Sequence, residues 1–267
     1  MNPQKPTGKE ENASLRNFSA DLHIHTCLSP CSDWEMSPKK IVAKSIEKQL
    51  DIIAICDHNS AENVQAVIHL GKEMGLYVLP GMEICSREEV HILGLFKAVE
   101  QAQAMQEIVY EHLPGENQAE VFGYQVIVNE KDEIRGEVSR LLIGASRLSL
   151  QDIVVKIHKL GGLSIASHVD RPSFGIIGQL GFIPEDLTLD GLEVSYRVPL
   201  NDVRKKIPGS MNFPFISSSD AHFPDDIGKA KTVFTLAEPT FDEIHLALKG
   251  KDGRGIEAQP GQAGIEY

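Results

Sequence analysis

Two histidines stand two residues apart in Asp21-Leu22-His23-Ile24-His25-Thr26, and five later stretches carry side chains of the same chemical kind. They are Asp57-His58-Asn59, Gly81-Met82-Glu83, Val90-His91-Ile92-Leu93-Gly94, Ala166-Ser167-His168 and Ser218-Ser219-Asp220-Ala221-His222. Imidazole mixed with carboxylate suits zinc, manganese or iron(II) better than calcium, which takes oxygen ligands. In an extended chain, residues two apart point to the same side, so His23 and His25 can grip one cation together. Asp220 and His222 can do the same or reach two neighbouring cations. Glu83 has two carboxylate oxygens and can bridge metals that imidazoles alone could not hold close. Eight candidate ligands are too many for one ion, and a purely structural zinc site is usually closed, four-liganded and rich in cysteine.

A histidine taken alone is more often a surface or hydrogen-bonded core residue than a ligand. His69, His112, His158 and His245 lie in helical or polar stretches and are read that way. Cys27 and Cys31 could form a soft-metal or redox pair that Cys56 and Cys85 complete, but the spacing matches no compact zinc pattern. Four cysteines in the first third of the chain read as reduced thiols, buried or near the site, rather than a disulfide framework.

The elements that must position these groups alternate along the chain. Strands are expected over 19–24, 52–56, 77–79, 90–95, 163–167, 191–194, 215–218 and 232–236. Ser37 with Pro38 opens a helix over 39–49, Ser60 caps a second that Gly75 closes, and a third runs from about Ala98 to His112. Capping boxes at Ser149/Asp152 and Thr240/Glu243 start two more, ending near Gly161 and Gly250. Pro114-Gly115 breaks the alternation, and 121–128 with a Lys131-Asp132 turn reads as a hairpin within an insertion over about 113–147. Residues 1–18 read as a disordered arm and 251–267 as a flexible tail. Alternating strands and helices argue for a mostly parallel barrel or sheet, in which ligands bind at the carboxyl ends of the strands. His23 and His25, Asp57-His58, Glu83, His168 and Asp220-His222 all fall at such ends.

With 267 residues the chain can bury a proper core, and its formal net charge is −12. No basic stripe of the kind that grips duplex phosphates is visible, Arg204-Lys205-Lys206 being the densest basic stretch, so no long duplex nucleic acid is expected as a partner. Bound divalent cations would offset part of the charge and attract an anion to the site itself. There is no apolar run of membrane-spanning length, and the polar first residues lack a signal peptide's apolar core, which makes the cytoplasm the expected location.

Taken in order, these motifs resemble those of the PHP (polymerase and histidinol phosphatase) superfamily, over about 19–250. The resemblance implies an α/β fold, a distorted (β/α)7 barrel of the PHP type with a small insertion, and two or three divalent ions (zinc, manganese or iron). Carried over by position, it implies a first metal held by His23, His25, Glu83 and Asp220, and a second held by Glu83, His91 and His168. A third would use Asp33, His58 and His222; many members of the family have histidine where this chain has Asp33, and taken alone Asp33 is a loop-capping residue. Arg171 matches an arginine that contacts substrate phosphate in the branch resembling nucleoside 3',5'-bisphosphate phosphatases; the alternative is an ion pair with Asp170 or another carboxylate. Arg197 is a second candidate for substrate binding, and Asp57 is expected to orient His58.

The implied reaction is in-line hydrolysis of a phosphate ester by a metal-held hydroxide, with Arg171 neutralising phosphoryl charge and His58 or His222 as acid. Expected substrates are small phosphomonoesters or nucleotide ends; histidinol phosphate is the alternative, and a non-catalytic, metal-stabilised regulatory module the rival from another class.

Overall fold

The computed structural model describes residues 14–195, 207 and 209–259, so Arg197 lies outside the described residues. Among the described residues, nine strands form one sheet. In chain order its members are β1 (Arg16–Ile24), β2 (Ile52–Ile55), β3 (Tyr77–Cys85), β4 (His91–Leu95), β7 (Leu163–Ala166), β8 (Gly191–Val194), β9 (Phe215–Ser217), β10 (Lys231–Leu236) and β11 (Gly255–Gln259). Parallel runs β1–β2–β3 and β7–β8–β9 are joined through β4, which is antiparallel to both its neighbours. Thr232 on β10 bonds Ser217 of β9 through its side chain, and His25 N donates to Ala221 O, so the sheet curls into a nearly closed barrel. The barrel is thus mixed rather than uniformly parallel.

Helices α1 (Pro38–Glu47), α2 (Val64–Met74), α3 (Val99–His112) and α5 (Leu150–Lys159) cover the sheet. Ile41, Val67, Met105 and Ile153 on them pack against outward residues such as Ile53, Ile55 and Ile92. The inward rows form a second core of Leu22, Ala54, Leu79, Leu93, Ile165, Ile216 and Phe234, to which α7 (Phe241–Leu248) contributes Phe241 and Ile244. Side chains two apart share a face. The inward rows Leu79–Gly81–Glu83, Leu95–Leu93–His91 and Ala54–Cys56–His58 therefore run from apolar core into chemistry. Because β4 is antiparallel, its first residue, not its last, reaches the site.

Several local expectations change in their surroundings. Ser37 is the N-terminal residue of α1 but makes no side-chain cap; Asp132 of the insertion accepts from Ser37 Oγ at 3.0 Å and Lys39 N at 3.2 Å and caps the helix instead. Ser60 does not cap α2, which begins at Val64; its hydroxyl meets Gln106 and Tyr110. The arm expected over 1–18 already contributes the start of β1, and the tail expected over 251–267 contributes β11, which pairs antiparallel with β10.

The insertion carries a short helix, α4 (Ala119–Phe122), and a hairpin of β5 (Val126–Val128) and β6 (Ile134–Glu137), followed by the remaining short helix of the barrel, α6 (Ile176–Leu180). Asn63, fully buried, ties the hairpin to the loop after β1. Its amide donates to Thr26 Oγ1 and Val126 O, both at 3.0 Å, and its oxygen accepts from Val128 N at 2.9 Å. Gly123, at φ 99°, lies against Pro30 so closely that a Cβ would sit 2.2 Å from its carbonyl oxygen. Asn63→Ala leaves buried backbone groups unpaired and is expected to cost about 1–3 kcal/mol in denaturant unfolding.

Candidate metal centre

Glu83 is the middle of the site. Its side chain is 1% exposed, and five imidazoles close on its two oxygens. Oε1 lies 2.9 Å from His91 Nδ1, 3.1 Å from His168 Nε2 and 3.4 Å from His23 Nε2. Oε2 lies 3.0 Å from His58 Nδ1 and 3.5 Å from His25 Nε2. Asp220 Oδ1 stands opposite, 3.1 Å from His25 Nε2, 3.3 Å from His23 Nε2 and 3.6 Å from His222 Nδ1.

The backbone bends to deliver these groups. The β1–β2 register shifts between Asp21 and Ile24, so His23 and His25 turn to the inner side that Ala20 and Leu22 occupy below them. His168 and Asp220 take left-handed backbone conformations, φ 30° and 52°, as does Asn59 beside His58 at 52°. Such strain gathers at functional sites. Two backbone bonds, His25 N to Ala221 O and Ala221 N to His23 O, stitch the end of β1 to the segment carrying Asp220 and His222.

A further layer fixes the rings. His23 Nδ1 donates to Glu193, 3.0 Å from Oε2, and the same oxygen accepts His168 N. Asp57 accepts from Thr26 N, Thr26 Oγ1 and Ser29 Oγ, each at 2.7 Å. Ser29 Oγ in turn accepts from His25 Nδ1 at 2.9 Å and from His58 N at 3.1 Å. Asp57 thus acts on the His25 ring through Ser29, whereas it touches His58 only through the backbone; the expected direct grip on the His58 ring is not made. With both Nδ1 atoms donating, His23 and His25 turn their Nε2 lone pairs toward each other at 3.1 Å. That arrangement is satisfied by a cation, or by a proton, between them.

Burial by itself would raise Glu83, but His91 and His23 outweigh it and hold its carboxyl well below the usual range. Burial would lower His23, yet Glu193, Asp220 and Glu83 hold it well above the ordinary imidazole value. His25 is driven well below that value by burial and then by His222 and His58. Without metal, the proton therefore rests on His23 and leaves His25 neutral.

The donors fall into three overlapping groups whose ligand atoms lie within 4.8 Å of one another: His23, His25, Glu83 and Asp220; His58, Glu83 and His91; His25, His58 and His222. Among the described residues, buried Asp220 Oδ1 and His168 Nδ1 find no hydrogen-bond partner. Bare nitrogens, orphaned polar atoms and shared carboxylates fit a cluster of divalent cations. Asp33 stands outside these groups: its Oδ1 accepts from Glu35 N at 2.7 Å and it lines a separate cleft with Lys40 and Phe223, while its backbone N bonds His222 O. The remaining histidines stand elsewhere: His69 pairs with Glu73, His158 with Asp190, His112 bonds Ile108 O, and His245 lies beside Phe241.

Arg171 Nη1 donates to Asp220 Oδ2 at 2.5 Å, while Asp170 is taken by Ser195 N and Oγ, so no Arg171–Asp170 pair forms. The cavity over the centre holds about 240 Å³ and is walled by the ligands together with Cys31, Ile143, Arg171 and Phe174. Phe174, at φ 60°, stacks on His91 with ring centroids 4.5 Å apart. Sequence reasoning missed Glu193, although a lone acid within the apolar run Gly191–Val194 was its available signal. Phe174 and Ile143 carried no such signal. Cys31 was weighed in a soft-metal set with Cys27, Cys56 and Cys85 and as a reduced thiol near the site; Cys27 packs instead among Val126 and Val128.

The family description "PHP domain" matches residues 21–171 and "PHP-associated" matches 201–251. An uncharacterised protein of Methanocaldococcus jannaschii is 28% identical over 208 residues, 72% of this chain and 94% of that one. A 5'-3' exoribonuclease of Haemophilus influenzae is 32% identical over 78 residues, 28% of this chain and 27% of its own. Among solved structures, the lesion-specific endonuclease Q from Pyrococcus furiosus superposes with a TM-score of 0.69 at 21% identity, covering 90% of this chain. This chain spans 58% of that longer one. A second endonuclease Q structure, TM-score 0.68 at 20% identity with the same coverage, holds a 27-mer duplex with an abasic lesion at its active site. The expectation that duplex nucleic acid is excluded is therefore withdrawn. It rested on net charge, which sums the whole surface, whereas a nucleic acid meets the field at the site and cations there reverse its sign.

Two measurements probe the centre. Metal-free protein supplied with zinc or manganese at a hundredfold excess over Kd is expected to gain about 2.7 kcal/mol against unfolding, because the unfolded chain has no assembled site. His168→Ala is expected to lower hydrolytic activity by at least about a hundredfold, whereas exposed His69→Ala leaves it within twofold. The order of the motifs, the barrel that gathers them and the two matching family descriptions lead to one statement: the chain belongs to the PHP domain family.

Proposed function

We propose that this PHP-family phosphoesterase hydrolyses a phosphate ester at a nucleotide or at the end of a nucleic-acid strand, using zinc, manganese or iron(II). The observation that carries the reading is the composition of the cavity wall. Among the described residues lining it, Arg171 is the one fixed cation, set beside the cation donors, and Phe174 with Ile143 forms an apolar face on the outer side. A phosphate carrying a flat, apolar ring matches that division.

His23, His25, Glu83 and Asp220 would hold one cation, Glu83 with His91 and His168 a second, and His58 with His222 a third. Divalent cations there supply a water of lowered pKa and charge neutralisation at phosphorus. Arg171 contributes a planar fork that binds phosphoryl oxygen, which it can do once a cation takes over Asp220. Glu193 and the Asp57–Ser29 pair hold the His23 and His25 rings in one tautomer. His58 and His222, on the open side of the centre, are placed to give a proton to the leaving oxygen when not occupied by metal.

The resemblance to nucleoside 3',5'-bisphosphate phosphatases supports a substrate with a second phosphate for Arg171 to grip. Histidinol phosphate fits less well, since its ammonium needs a carboxylate beyond the centre and the described outer wall offers Ile143 and Phe174. A regulatory module without catalysis would have no use for a complete donor set. Endonuclease Q and the exoribonuclease keep strand substrates in view.

The deciding experiment is a panel of nucleoside bisphosphates, 5'-phosphorylated oligonucleotides, abasic duplex and histidinol phosphate, each with zinc, manganese and iron(II). Turnover is expected on a nucleotide or strand end; turnover of histidinol phosphate alone would overturn the reading. Arg171→Ala is expected to keep the parent's metal content and lose about 2–4 kcal/mol in kcat/KM, roughly thirty- to a thousandfold, with Arg171→Lys recovering part. Unchanged kcat/KM at full metal content would remove Arg171 from the chemistry.

A further inference from the structure

We propose that Cys31 is a metal ligand of this centre, its sulfur joining His58 and His222 in the place where Asp33 was expected. The inference rests on the metal-centre reading and not on any choice of substrate. Cys31 lines the cavity together with His58 and His222. The loop that bears it is held in place: Ser29 N bonds Thr26 O, Ser32 N bonds Ser29 O, and Asp33 N bonds His222 O at 2.9 Å. That last bond fixes the stretch just after Cys31 against a ligand residue. It also turns the Asp33 carboxylate into the neighbouring cleft, where Glu35 N takes it.

The chemistry of the three groups points the same way. Two contain a carboxylate, and the third contains three imidazoles and no anion. Neutral nitrogens leave a divalent charge uncompensated, and one thiolate offsets half of it while adding a further ligand to the site. Such a soft ligand selects zinc or iron over magnesium at this one position. The other cysteines are spoken for: Cys27 packs against Val126 and Val128, Cys56 donates to Leu22 O inside the barrel, and Cys85 donates to Ser86 O.

The test uses the full chain. Zinc-edge X-ray absorption of the zinc-loaded parent is expected to show a sulfur neighbour at about 2.3 Å. Cobalt(II) loading is expected to give a thiolate-to-cobalt charge-transfer band in the near ultraviolet. Cys31→Ser is expected to lose both signals and to weaken the most loosely held metal equivalent by at least about tenfold, while Asp33→Ala keeps all three properties. A zinc-loaded parent with no sulfur neighbour overturns the proposal, and so does a Cys31→Ser variant that retains the sulfur signal. Since the first measurement needs no substitution, it decides even if a variant misfolds. A parent that binds no cation overturns the metal-centre reading itself and this ligand with it, an outcome separable from the failure of any substrate assignment.

Discussion

A carboxylate in a dry pocket needs opposite charge on every side, and Glu83 is such a group. Left uncompensated it would cost several kcal/mol, more than a single neighbour returns. The chain meets this by converging on it from the end of β1, which delivers two imidazoles, and from the end of β2, β4 and the turn after β7, which deliver one each. The convergence in turn imposes the odd features of the backbone. The shifted register of β1, the reversed direction of β4 and the left-handed turns at Asn59, His168 and Asp220 are what it takes to aim rings at one point.

The same demand explains why acids lie behind the rings as well as in front. An imidazole offers a lone pair to a cation only when its other nitrogen carries the proton, so each ring needs an acceptor at its back. Glu193 performs this for His23, and Ser29, itself held by Asp57, performs it for His25. Asp21 plays a comparable part for the backbone, accepting from Ser219 N and Oγ and from Gly228 N, which anchors the segment leading to Asp220. Burial lifts Asp21 to about 6, against the pull of those bonds, which shows how dry this layer is.

Much of the centre was readable because strand ends are marked by composition. An apolar run that stops at a histidine states both a direction and a depth, as at His58 and His168, whereas Glu83 lies inside β3, which runs past the expected 77–79 to Cys85. The residues that were misread depend on paths that composition does not encode. Asp33 is held by a backbone hydrogen bond to His222 O, nearly two hundred residues away in sequence, which no local pattern announces. Ser60 has a capping residue's character, but Gln106 and Tyr110 claim its hydroxyl. The polar tail gains order only because β10 presents an edge for β11 to join. Ser149, whose partner Asp152 is local, behaves as its spacing says.

The clamping of the insertion has a consequence for how this chain can diverge. Gly123 lies on Pro30, Asp132 caps α1, Asn63 bonds both Val126 and Val128, and Asn59 bonds Leu142 O and Gly144 O. These contacts hold the segment from both ends against the loop that carries Ser29 and Cys31. The outward side chains of the insertion, Val121, Tyr124 and Ile134, are 67%, 50% and 63% exposed and take no part in these contacts, so they can be exchanged without loosening the clamp.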